Sequence, residues 1–275
     1  MSSDHLPGRI SKGDYTLSGF IALVVSAASI AGLLASTRLY PAEELRRSFV
    51  SNDVVSLVLG VPLLLVTLRS ARHDRLVGLL LWPGALLYAT YNYIAYAVAT
   101  TMTWQLALFL AVAGMSGFAV IRLLTRIDGT EVQRQIGDAV PIRVSAGVLV
   151  VLGALFFVRA GVTLVGALAD GVLIPPSERG VLVADLVVTP LWVVSGIMLW
   201  LRRPFGYATG AGLLFQASML FVGLLVFFIV QPFIASVSFP LEDFVTVLVM
   251  GCFCFVPFGL LVRGVIAGST RKDGK

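Results

Sequence analysis

Charged residues are absent from long stretches of this chain and collect in the short gaps between them. The stretches 16–36 and 76–99 hold none at all. A hydrocarbon core about 30 Å thick is crossed by roughly 20 apolar residues in helical form. On that measure the pattern predicts eight helices, at 16–36, 51–69, 76–98, 101–123, 143–169, 182–201, 204–230 and 243–263. The second and sixth have short apolar cores, 54–68 and 186–201, and reach a full span only with the polar residues just before them. Pro204 to Leu241 is uncharged but punctuated by Gln231-Pro232 and Pro240, so the seventh helix is ended near 230 and the remainder assigned to the outer surface.

Composition narrows the class. With 58% hydrophobic residues, 13% charged residues and a mean hydropathy of +0.95, a soluble globular domain is excluded. The expected fold is all-α, a polytopic membrane bundle of about eight transmembrane helices with the lipid bilayer as its constant partner. A polar N-terminus leads into a long run without a convincing small-residue cleavage site, which predicts a retained first helix rather than a cleaved signal peptide. Cys252 and Cys254 stand two apart on different sides of a helix. That geometry suits a bridge poorly, and no disulfide framework is expected.

The net charge of +5 and pI near 9.5 would fit a nucleic-acid partner. The basic residues, however, sit at the ends of apolar segments, where they serve topology and contact with anionic headgroups. Nucleic acid is not expected. With the N-terminus inside, fifteen Lys and Arg fall on inner segments, and only Arg38, Arg46, Arg47 and Arg179 fall outside. This asymmetry predicts a plasma (inner) membrane protein with both termini cytoplasmic and an even number of spans.

A connector at 127–141 divides the chain into two four-helix halves, 1–126 and 142–275. Each half carries a proline, an aspartate opening an apolar run, an arginine closing it and then a glycine: Pro41, Asp53, Arg69 and Gly78, against Pro175, Asp185, Arg202 and Gly206. Two parallel repeats would produce this likeness. So would the ordinary resemblance between any two membrane helices. Small residues at fourfold spacing (Ala28, Gly32 and Ser36; Ala113 and Gly117; Gly206 and Gly210) predict close helix packing. Pro62, Pro83, Pro190 and Pro257 lie inside spans and predict kinks.

Candidate chemistry centres on Arg159, the one charge deep inside a span. A mid-bilayer arginine costs about 2.5–3.5 kcal/mol on insertion scales, so it is expected to face the bundle and pair. It could serve an anion or carboxylate site, or a gate; the competing readings are a structural ion pair or snorkelling. Its candidate partners, Asp53 and Asp185, lie some 10 Å above it by helical rise, and each, like Asn52, could equally be an N-cap. Glu242 and Asp243 read as caps of the last helix. Tyr88, Asn92 and Tyr96 share one face of the third helix and could line a polar cavity. Tyr93 and Tyr96 also fit an aromatic belt at the headgroups. Gln216 sits at matching depth, and Thr163 lies one turn above Arg159.

Familiar signatures are missing. His5 and His73 lie outside the spans, and no phosphate loop or nucleophile elbow is present, so neither a metal nor a cofactor is expected. The leading expectation is a protein with an outward-facing polar cleft lined by Arg159, Tyr88, Asn92, Gln216, Asp53 and Asp185, binding or transporting a small anionic molecule. The alternatives are a structural, sensory or assembly subunit without ligand, and, less favoured, an integral-membrane enzyme acting on a lipid or isoprenoid.

Overall fold

The computed structural model describes residues 10–137, 142–235 and 237–273. The elements are α1 (Lys12–Leu34), α2 (Ser36–Leu39), α3 (Glu43–Val55), a π-helical turn (Ser56–Gly60), α4 (Val61–Arg72), α5 (Leu76–Ala99) and α6 (Trp104–Leu124). They continue with α7 (Gly129–Ile136), α8 (Ile142–Asp170), α9 (Pro176–Trp200), α10 (Pro204–Ala235) and α11 (Leu241–Asp273). There is no strand among the described residues. Among the described residues, seven helices are long and apolar enough to cross a membrane: α1, the continuous Glu43–Arg72 rod of α3 and α4, α6, α8, α9, α10 and α11. The chain is an all-α, multi-pass membrane bundle.

The remaining long helix, α5, is not one of those seven, because its second half carries Tyr88, Tyr91, Asn92, Tyr93 and Tyr96. It lies at the centre of the bundle. Eighteen of its 24 residues are buried, against seven of 29 in α8. The surfaces that α8 leaves uncovered are Leu, Val and Phe, as expected of a helix bathed in hydrocarbon.

Among the boundaries that differ from expectation, the starts of two helices matter for function. The second predicted helix begins at Glu43 rather than 51, with Glu43 and Glu44 complementing the positive end of the helix dipole. The sixth begins at Pro176 rather than 182, since proline is well suited to a first turn whose N–H groups lack partners. The seventh runs through Pro232 to Ala235. As a result Asp53 and Asp185 are not N-caps. The N-cap positions are Ala42 and Pro175, and both aspartates lie deep in their helices. Glu242 and Asp243 occupy the first turn of α11.

Glycines set the closest approaches. A Cβ on Gly84 would fall 2.0 Å from the carbonyl oxygen of Gly212, so α5 and α10 cross backbone to backbone. Gly78 and Gly206 each press on the helix before them, at 2.4 Å from Ala71 N and 2.2 Å from Leu199 N. Each follows by four residues a non-glycine at positive φ, Asp74 (φ 55) and Arg202 (φ 53), in a tight turn between helices. Gly32 leaves room for a carboxylate, its Cβ position lying 1.9 Å from Asp53 Oδ2.

At the arginine-rich end, Asp14 is buried and clamped by Arg122 (2.9 Å) and Arg126 (2.7 Å), which ties α1 to α6. The predicted connector contains a short amphipathic helix, α7, that the apolar pattern did not announce. Asp128 caps it through Thr130 N (2.9 Å), and Val132 and Ile136 are buried. Gln133 Nε2 donates to the Arg202 carbonyl (3.0 Å), satisfying a backbone acceptor at the end of α9.

Candidate ligand-binding site

Helical rise explains how the central polar groups meet. Asp185 stands nine residues past Pro176, or about 13 Å along the helix. Arg159 stands eleven residues before Asp170, or about 16 Å from the same end. The early start of α9 therefore brings Asp185 to Arg159's depth. The offset in rise between the two residues is about 3 Å rather than the expected 10 Å or so, and the guanidinium Nη1 lies 3.9 Å from Asp185 Oδ2. Tyr91 of α5 donates to the other carboxylate oxygen at 2.8 Å. Asp185 Oδ2 is buried and accepts no hydrogen bond among the described residues.

Arg159 is only partly turned inward, with its side chain 49% exposed. It stands at the seam between the bundle and its outer surface.

The seam opens into a cavity of about 330 Å³ built from α3, α5, α8, α9 and α10. Arg159, Asp185, Tyr88 and Asn92 line it, together with Asn52, Tyr91 and Tyr96. Asn52 Nδ2 donates to Asn92 Oδ1 (3.2 Å) and to the Tyr96 hydroxyl (3.1 Å), joining α3 to α5. Tyr88 fits between two glycines, with its Cε1 3.1 Å from a Cβ at Gly60 and its hydroxyl 2.8 Å from one at Gly223. Ser48, Ser177 and Glu178 add polar groups, and the rest of the wall is apolar, mainly Phe156, Val181, Leu220, Phe221, Leu224 and Phe227. At the end away from the arginine-rich face, Ser177 N–H (3.3 Å) and the Ser177 hydroxyl donate to Glu44.

Two candidate residues stand behind the wall instead of in it. Gln216 is fully buried and accepts from Trp192 Nε1 at 2.7 Å, while the indole itself faces the cavity. Asp53 is 1% exposed, does not line the cavity, and is turned towards Gly32 of α1. Tyr40 donates to its Oδ2 at 2.9 Å. The Tyr96 hydroxyl lies 3.1 Å from Oδ1 and 3.2 Å from the Phe49 carbonyl. Burial, and after it the neighbouring carboxylate, raise the Tyr40 phenol well above its ordinary pKa, which keeps it a donor. Tyr93 and Tyr96 do not form a headgroup belt. They are 1% and 3% exposed and pack against Phe109. Thr163 does not reach the cavity.

Sequence reasoning left Trp192 and Phe156 out of the site. Both were within reach: Trp192 follows Asp185 by seven residues and Phe156 precedes Arg159 by three, each on the face of a residue already chosen. Among the described residues no three of His, Cys, Asp and Glu come together as a metal site would require. Comparison with protein-family models, with curated proteins and with solved structures gives no match.

Proposed function

We propose that this chain crosses the plasma membrane eight times, with α5 as the eighth span and both termini in the cytoplasm, and that its central cavity binds or passes a small molecule through an anionic group held by Arg159. One observation carries the reading. A guanidinium at mid-depth faces a cavity of about 330 Å³, with a single carboxylate oxygen at 3.9 Å and no hydrogen bond to any described residue. Structural arginines at such depth are expected to be saturated by partners. This one has donors to spare, in the planar fork that suits carboxylate and phosphate.

A descent from two parallel four-helix repeats is part of the proposal. Its support is a constant interval relating Pro62 to Pro190, Asp74 to Arg202, Gly78 to Gly206 and Gly84 to Gly212. The last two touch each other, as related positions do on a two-fold axis. Burial agrees along the packed middle of α5 and α10, where Asn92 and Leu220 are half-buried and Tyr93 and Phe221 buried. In this register the aspartates are not equivalent, which matches their different settings. The cavity straddles the axis, with Asn92, Ala95 and Tyr96 of one half opposite Leu220, Gly223 and Leu224 of the other.

A purely structural role suits Asp53, whose carboxylate is enclosed by neutral donors. It accounts less well for Arg159. The test is thermal unfolding of the purified protein with benzoate, succinate or phosphate titrated in, since a bound anion stabilises the folded state by mass action. At least one anion is expected to stabilise the native chain, Arg159→Lys to weaken the effect and Arg159→Leu to remove it with folding intact. A stabilised Arg159→Leu protein indistinguishable from the native chain in this assay would overturn the reading.

A further inference from the structure

The shape of the cavity and the position of its one cation narrow the occupant further. Along α9 the lining runs from Ser177 to Trp192, or about 22 Å by helical rise. The space is therefore long and narrow. At roughly 30 Å³ per water-sized group, the cavity of about 330 Å³ holds a string on the order of ten heavy atoms. Its polar groups come from α3, α5, α8 and α9, and the α10 flank of Leu220, Phe221, Leu224 and Phe227 offers hydrocarbon alone. A compact, fully hydrated anion would leave most of that wall unused.

The route in is also marked. The inner half of α8 is locked to α9: a Cβ on Gly153 would meet Val193 at 2.9 Å, and one on Gly196 would meet the Ala146 carbonyl at 2.9 Å. Beyond Ala160 the lock ends. No residue from Gly161 to Asp170 is buried. Arg159 sits where the packing gives out, half exposed, beside the lipid-facing Leu155, Val158 and Val162. A site reached only from water has no need of a cation on its membrane side.

The geometry points to a single-chain amphiphile with an anionic head, carboxylate or phosphate, that enters sideways from the bilayer past the outer half of α8. Its head rests on Arg159 and the Tyr91 side of the cavity, and its tail lies along Phe156, Phe221, Leu224 and Phe227. This rests on the anion-site reading above and names the class of molecule that the site takes.

The experiment uses the full chain in phosphatidylcholine nanodiscs with a decanoic acid carrying a diazirine at its tail. Photolysis followed by peptide mapping locates the tail. Unlabelled decanoate, decyl phosphate, decanol and benzoate are the competitors. Adducts are expected on the segments bearing Phe156, Leu224 and Phe227. Decanoate or decyl phosphate is expected to compete at least tenfold better than decanol or benzoate. Arg159→Gln is expected to erase the preference for the charged head while tail labelling at high probe concentration persists. Leu224→Trp, which fills the cavity from its rim, is expected to suppress the adduct at unchanged thermal stability. Adducts scattered over the outer surface would overturn the proposal. Benzoate competing as well as decanoate in an Arg159-dependent manner would remove the amphiphile and leave the anion site standing. Competition independent of Arg159 would remove both.

Discussion

At the scale of single residues, the cavity is shaped as much by what stands behind it as by what faces it. Trp192 presents its ring to the cavity and spends its one donor on Gln216, a fully buried side chain whose Nε2 has no partner among the described residues. A buried amide deprived of its partner costs about 1–3 kcal/mol. Trp192→Phe is therefore expected to destabilise the protein by that order, and the double variant with Gln216→Leu to recover most of the loss, because both ends of the bond are then apolar. Chemical unfolding in detergent would measure it. No recovery in the double variant would mean that the indole acts through packing rather than through its hydrogen bond.

At the scale of elements, the crossing of α5 with α10 tolerates no side chain. A leucine at Gly84 or Gly212 would drive carbon into backbone carbonyls 2.0 and 2.7 Å away. Overpacking of a rigid contact costs roughly 1–3 kcal/mol and more where backbone must move. Both substitutions are expected to abolish recovery of monodisperse protein. Gly166→Ala, with nothing within 4 Å of the added carbon, is the matched control and is expected to behave as the native chain. Equal yields from all three would contradict the packing described.

The helices themselves were largely legible in the sequence, because hydrocarbon leaves the backbone no solution but helix and the charge pattern marks the gaps. The starts of α3 and α9 were not, since polar first turns such as Glu43-Glu44 look like loop when judged by hydropathy alone. That error propagated. A start at 182 puts Asp185 near the surface and some 10 Å above Arg159 by rise, an offset that the start at Pro176 largely removes. Depth and helical face suffice to bring Arg159, Asp185, Tyr88 and Asn92 to one cavity wall. Asp53 and Gln216 stand behind that wall because depth fixes height along a helix and not the direction a side chain takes around it.

At the scale of the whole molecule, the question is which helices cross. The α5 helix is 24 residues long, or about 36 Å by rise, and lies at the centre with its polar half shielded by neighbours. If it crosses, residues flanking it lie on opposite sides. Cysteine placed at Thr101, exposed past the end of α5, is expected to react with an impermeant maleimide in intact cells. Cysteine at His73, exposed just ahead of α5, is expected to react only after permeabilisation. The background carries Cys252→Ser to remove the exposed native thiol. Labelling of both in intact cells would show that α5 does not cross and would remove the eight-span topology.

One local irregularity reaches beyond its own turn. The π-helical residues Ser56–Gly60 amount to one residue more than a regular helix would hold, placed just ahead of Pro62, which has no N–H to offer the turn before it. Each residue added to a helix advances everything upstream by about 100° around the axis. Asn52 owes its aim at Asn92, and Asp53 its aim at Tyr40, to that extra increment. Excising Leu57 would change neither charge nor polarity, yet it would swing the whole of α3 about a quarter-turn and dial both side chains away from their partners.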